Sequence, residues 1–280
     1  MKKVIVLVLG IFAIILFMTI AKPKYNKAAT AIKKKDYAKL EKIISNNFDI
    51  NSKNGTGQNL LFVAIDENDV QAAKILINKG IDLNAKDDNL FTPMAEAMML
   101  ESNEIAELLI ESGVKKNDLY HKSDYSVLNV ACTVNNFVGL KLLVENGWDV
   151  NQKGKSNKPA IFSTIEPNNY DCFMYLLEKG TSINDKTANN GDTLLTFAAF
   201  YGRINFAKVL IEKGIEIDAQ NDLGETALAT AAFKNYTDIA KLLIDSGANL
   251  DLQTTGGDTA LILALKRNSY QAAKLLIDAG

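Results

Sequence analysis

Histidine is almost missing from this chain, and arginine, cysteine and tryptophan are scarce. The one histidine, His121, has no second imidazole with which to hold a metal and no neighbouring nucleophile to activate; its place in a turn suits a surface residue. Only two of the 31 basic side chains are arginines, Arg203 and Arg267. Bidentate reading of phosphates and guanines favours arginine, and a formal net charge of −2 supplies no field for a polyanion, so nucleic acid is excluded as a partner. The two cysteines, Cys132 and Cys172, fall in slots expected to face different environments and are read as free thiols, which leaves the redox compartment open. Gly55-Thr56-Gly57 and Gly256-Gly257 lack the Lys-Ser/Thr continuation of a phosphate loop. No acid pair and no nucleophile motif stands out. The expectation is a protein that is not an enzyme and that carries no metal or cofactor.

What is present falls into two materials. Lys2 and Lys3 precede an apolar run from Val4 to Ile20, interrupted only by Gly10 and Thr19. Thr19-Ile20-Ala21 has the small residues of a cleavage site, yet the run approaches the ~20 residues that span a bilayer. Residues 1–25 therefore read as a cleaved export signal or as an N-terminal membrane anchor. The short basic start favours export. Lys22, Lys24, Lys27 and Lys33 to Lys35 place more positive charge after the run, which favours retention inside. Export is the expectation, to a bacterial periplasm or the periplasmic face of the inner membrane. Anchoring toward the cytoplasm is the alternative.

The remainder is one unit copied. The slot occupied by Thr226 recurs at Asn59, Thr92, Ser126, Ala160, Thr193 and Thr259, in steps of 33 or 34 residues. A small or apolar residue follows five positions on, as at Ala64, Ala97 and Ala231. An apolar doublet lies eleven further, as at Ile75-Leu76, Leu142-Leu143 and Leu242-Leu243. A glycine then ends each copy: Gly80, Gly113, Gly147, Gly180, Gly214, Gly247 and Gly280. Each copy predicts a capped short helix, a return helix and a left-handed stop. One such unit cannot bury its own apolar face, so the copies must stack. Residues 26–51 read as a divergent first copy, with lysines on its outer side. At the other end, Ile262, Leu263 and Leu265 are expected to be less well covered.

A period near 33 with Thr92-Pro93-Met94 at a helix start resembles the ankyrin-repeat family over residues 26–280. Asp82-Leu83-Asn84, Asp149-Val150-Asn151 and Asp218-Ala219-Gln220-Asn221 look like its finger segments. The resemblance implies an all-α solenoid of helix–turn–helix units with β-turn fingers: about seven repeats over 52–280 behind the cap at 26–51. The chain departs from the family pattern where the histidine after Thr-Pro-Leu is replaced, by Phe62, Ala95, Asn129, Ser163, Thr196, Ala229 and Ile262. The fourth repeat also has Ala160 in the capping slot, which predicts a weaker first helix there.

In that family the concave face, made of finger tips and first-helix ends, is the usual partner site. The register places Phe91, Tyr125, Met99, Leu100, Val134, Phe200, Tyr201, Phe233 and Trp148 there as candidate partner-binding residues. Such an aromatic and apolar stripe suits a protein interface. Asp66, Glu67, Asp69 and Glu101 give its N-terminal part an acidic edge. The Lys/Asn/Ile-rich, Arg-poor composition matches an AT-rich bacterial genome. The function expected is protein capture in the cell envelope, in its sharpest form by an immunity protein that inhibits a secreted toxin such as a lipase. The alternative is a non-inhibitory scaffold or chaperone-like support for an envelope or stress enzyme. Joint truncation of Phe200, Tyr201 and Trp148 is the corresponding test of the site.

Overall fold

The computed structural model describes residues 23–116, 125–153 and 157–280, together with the backbone of 119–120. The Val4–Ile20 run and His121 lie outside the described residues. Among the described residues no helix is long and apolar enough to cross a membrane. The chain divides into two compact units, Met1–Lys122 and Ser123–Gly280.

In the first unit, α1 (residues 23–33) and α2 (Tyr37–Ile44) form the cap. They are followed by α3 (Leu60–Asp66), α4 (Val70–Asn78), α5 (Pro93–Met99) and α6 (Asn103–Glu111). A two-residue strand, β1 (Leu119–Tyr120), ends it. The cap begins earlier than the residue 26 expected: Tyr25 is buried and its hydroxyl donates to the Asn59 carbonyl at 3.4 Å. The second unit opens on β2 (Tyr125–Ser126) and continues through α7 (Val127–Val134), α8 (Phe137–Glu145), α9 (Phe162–Ile165) and α10 (Tyr170–Glu178). It ends with α11 (Leu194–Phe200), α12 (Ile204–Glu212), α13 (Ala227–Phe233), α14 (Thr237–Asp245), α15 (Ala260–Lys266) and α16 (Tyr270–Ala279).

Within each unit, first helices stack on first helices: α3 on α5, α7 on α9, and α11 on α13 on α15. Return helices stack on return helices, α4 on α6 and α12 on α14 on α16. First helices are inner layers. Leu60 to Ile65 and Ala227 to Ala232 are buried along their whole length, and the alanines let neighbouring backbones approach. Return helices bury only one stripe, as in Ile239, Ala240 and Leu243 of α14.

The capping slot performs as its chemistry predicts. The side-chain oxygens of Asn59, Thr92, Ser126, Thr193, Thr226 and Thr259 each accept from a backbone N–H in the first turn of the following helix. Two residues in the slot where the family has histidine reinforce this. Asn129 and Thr196 reach back to the N–H groups of Ser126 and Thr193 and complete capping boxes. The fourth repeat has neither device. Its chain enters through i→i+3 turns from Pro159, Ala160 and Ile161, and α9 is only four residues long.

Return helices end in a left-handed glycine followed by a buried residue. Gly147 has φ +87, its N–H donates to Val144, and the N–H of Trp148 donates to Leu143. This is the six-to-one closure that favours an apolar side chain just past the glycine. Ile81, Val114, Ile215 and Ala248 fill the same slot, all buried. Trp148 belongs to that set: it is 3% exposed, so it is a core residue and is removed from the candidate interface.

The expected separation of the cysteines is also corrected. Cys132 and Cys172 are both free and buried, but they share a neighbourhood. Burial first, and then the charge of Cys172, hold the Cys132 thiol well above its ordinary range. At the last repeat Ile262 and Leu265 are exposed, as their position in the register suggested, while Leu263 is half-buried.

Candidate functional site

Finger turns are built by one acceptor side chain five residues before the helix cap. Asp87 Oδ1 accepts from the N–H groups of Asn89 and Phe91, both at 2.8 Å. Asn221 Oδ1 does the same for Leu223 and Glu225, and Asn54 for Thr56 and Gln58. That requirement explains why Asp or Asn recurs there. Fingers are then tied to their successors. The Asn51 side chain accepts from the N–H of Asp82, Asn84 from Lys115, Asn151 from Ser182 and Asp218 from Asn249, at 2.8 to 3.0 Å. The result, within each unit, is a row of tied turns that presents the residue just before each cap.

In the first unit this row presents Phe91, half-buried, beside the exposed Met99 and Leu100 at the end of α5. Carboxylates of α3, α5 and the finger between them act on one another in these repeats. Burial, and then the charges of Asp66 and Asp87, raise the Glu96 pKa. Asp66 is raised by burial and Glu67, with Lys33 acting in the opposite sense. Asp69, expected on this acidic edge, is instead buried and structural: it caps α4 through the N–H of Ala72 and accepts from the Tyr37 hydroxyl.

In the second unit the fingers and first helices enclose a cleft of about 250 Å³. Phe197, Phe200 and Tyr201 of the α11 end form its apolar wall, and Asp192 and Glu225 of two successive fingers form its rim. The Asn221 amide donates to both carboxylates, to Asp192 Oδ1 at 2.9 Å and to Glu225 Oε2 at 3.2 Å. Neither makes an ion pair with a described residue. The next acid of the row, Asp258, is neutralised by Lys266 at 2.7 Å. Around the wall, Phe197 packs edge-on against Phe162 with centroids 5.2 Å apart, and Lys158 Nζ lies 5.0 Å from its ring centre. Burial lowers the Lys158 pKa, with Glu166 opposing. Phe200 meets Tyr201 edge-on at 5.1 Å. The Tyr201 hydroxyl is raised by burial first, then by the charge of Glu166 and a hydrogen bond to it.

Of the nine candidates, Phe200 and Tyr201 line this cleft. Phe233 is half-buried beneath the Arg267 guanidinium, 4.1 Å from its ring centre. Tyr125 and Val134 are half-buried and outside the cleft lining. The register drew attention to the ends of the first helices and passed over Phe197, one turn earlier. Its signal was present: an aromatic where sibling repeats have Val63, Glu96, Val130, Thr164, Thr230 and Leu263.

A family model described as ankyrin repeats (three copies) matches residues 28–120, 128–221 and 217–280. An ankyrin repeat protein of fowlpox virus (strain NVSL) is 30% identical over 146 residues, 51% of this chain and 34% of that protein. The human transient receptor potential cation channel subfamily A member 1 is 27% identical over 106 residues, 38% of this chain and 9% of the channel. The chain thus spans about a third or less of the length of these relatives. Among solved structures, the ankyrin repeat domain of Bcl-3, a member of the IkappaB family, superposes with a TM-score of 0.69 at 21% identity. That likeness covers 79% of this chain and 99% of the Bcl-3 domain, and it shows the fold alone. With the family model covering most of the described repeats, the chain belongs to the ankyrin-repeat family.

Proposed function

We propose that this chain is a protein-capturing module of the cell envelope, and that the cleft between α11 and the fingers at Asp192 and Glu225 is its principal contact. One observation carries the reading: the aromatic wall at Phe200 and Tyr201 is open, with Phe200 47% exposed, beside two carboxylates that no cation among the described residues neutralises. Rings of this kind in a partly enclosed site are where interfaces concentrate binding energy. The apolar run Val4–Ile20 supports the envelope part of the reading, whether it is cleaved or retained.

The sharper form is inhibition of a secreted toxin enzyme, such as a lipase, by occlusion. The test is crosslinking in envelope fractions with wild-type chain and with the Phe200→Ala/Tyr201→Ala variant. Proteins lost from the variant's mass spectrum are then assayed for activity. A hydrolase captured by the wild type alone and silenced at equimolar chain supports inhibition. A captured partner that stays active leaves a scaffold. Equal capture by both proteins overturns the site.

A further inference from the structure

The cap repeat carries a second cleft, on a surface that capture at α11 does not use. It measures about 620 Å³ and is lined by Lys24 and Lys27 of α1 and by Ala38, Lys39, Lys42 and Ile43 of α2. Lys24 Nζ lies 3.4 Å from the carbonyl oxygens of Asn46 and Asn47, just past the end of α2. Lys27, Lys39 and Lys42 are exposed and make no ion pair with a described residue. The acids of α2's own segment do not quench them. Asp36 caps the helix through the N–H of Lys39, and Glu41 pairs with none of the three. A polar cap needs solvated charge of either sign. Four cations converging on one recess with two apolar side chains in its lining ask for an anionic, partly apolar counterpart.

The chain's order names that counterpart. Lys24 follows Ile20, the last residue of the apolar run, by four positions. Four residues reach at most roughly 14 Å. With the run in a bilayer, Lys24 at the cleft lies within that distance of the hydrocarbon edge, of which the headgroup layer takes up about 5–8 Å. We propose that this cleft docks on an anionic phospholipid surface, its lysines on headgroup phosphates and Ala38 and Ile43 toward the glycerol region. The proposal rests on reading the run as membrane-inserted. It is independent of the partner cleft at Phe200. Each lysine near such a surface contributes about fivefold to partitioning, and the attraction fades beyond a Debye length.

The test uses the full chain mixed with excess bilayers of neutral phosphatidylcholine, or of phosphatidylcholine containing phosphatidylglycerol. Acetylation rates of single lysines are read by mass spectrometry. The expected result is several-fold slower labelling of Lys27, Lys39 and Lys42 on the anionic bilayer only, reversed by high salt, with exposed Lys208 and Lys241 of the second unit unchanged. Equal rates on the two bilayers overturn the proposal. So does protection of Lys27 that persists in the Lys39→Glu/Lys42→Glu variant, whose two sites are exposed and whose helicity is checked by circular dichroism. Alkaline carbonate extraction separately tests insertion of the run, so the failure of one reading is not mistaken for failure of the other.

Discussion

The ammonium of Lys234 lies 3.9 Å from the centre of the Phe200 ring, so the last residue of α11 is faced by the residue just past the end of α13 in the next repeat. The ring is still 47% exposed. It is held in place from one side and open on the other, which is the arrangement a contact residue needs. Truncating Phe200 and Tyr201 to alanine should therefore weaken partner capture by at least ~30-fold, the effect of losing ~2 kcal/mol from a hot spot. Helical content should not change. Titration of the identified partner against both proteins by calorimetry checks this.

Trp148 should behave in the opposite way. It fills the apolar slot behind Gly147 and is 3% exposed. Its replacement by alanine leaves a cavity and should cost about 3–5 kcal/mol of stability. Denaturant unfolding should show a lowered midpoint for Trp148→Ala, while capture per folded molecule stays at the wild-type level. Reduced capture by fully folded Trp148→Ala would return this residue to the interface.

The contrast between these residues shows what the sequence made legible. The period, caps and stop glycines each follow from a single backbone demand: a donor to satisfy or a positive φ to adopt. They could be read one residue at a time. The same register placed Trp148 beside the glycine, but an aromatic in that slot invites a surface reading unless the closure pattern of the helix end is applied to it. Phe197 stood out as an aromatic among its sibling positions, but the Asp192–Asn221–Glu225 bridge was not legible because it depends on two repeats at once. The Asn221 amide acquires its role only when the preceding finger brings Asp192 within 2.9 Å. The shared neighbourhood of Cys132 and Cys172 was hidden for the same reason, since the two belong to adjacent repeats.

Coupling between repeats gives a further prediction. Four return helices begin with a polar side chain that reaches back to the open carbonyl end of the first helix of the preceding repeat. Asn169 donates to Cys132 at 2.6 Å, Ser102 to Ile65 at 3.3 Å, Arg203 to Ile165 at 3.1 Å and Ser269 to Phe233 at 3.3 Å. Asn169 matters most, because it also bridges to Thr133 and anchors the repeat whose first helix is uncapped. Asn169→Ala should cost about 1–3 kcal/mol by leaving a buried carbonyl unpaired. Hydrogen exchange should show the amides of α9 opening first, ahead of those of α11. Uniform acceleration along the second unit would contradict this localisation.

Glu96 offers a pH test in the first unit. Burial and the neighbouring Asp66 and Asp87 raise its folded pKa above the ordinary 4.5. The sign follows from proton binding. Above the ordinary value the unfolded chain gives up this proton first, so stability falls as the pH rises through the folded pKa. At pH 7 the ionised carboxylate is a liability, which Glu96→Gln removes. The variant should melt above the wild type at pH 7, and the difference should vanish below pH ~4. A lower melting temperature at pH 7 would show that the carboxylate is held by a favourable partner.

The cysteines carry the same linkage at the alkaline end. Burial first, then Asp171, push the Cys172 thiol up to about 11, and Cys132 is also well above the ordinary 9.0. Thiolate is the reactive form, so neither residue should react with a disulfide reagent in native protein at pH 8, and both should react in denaturant. The unfolded chain releases these protons near pH 9 and the folded chain does so later. Their contribution is therefore intact below pH 9 and lost as the pH rises toward 11. Cys132→Ala/Cys172→Ala should lower stability at every pH by leaving small cavities, yet flatten its decline between pH 9 and 10, below the ordinary 10.0 around which the unfolded chain gives up the proton of Tyr25, raised to about 12 in the fold. An unchanged slope in the double variant, measured by denaturant titration at the two pH values, would place the alkaline lability in the tyrosines instead.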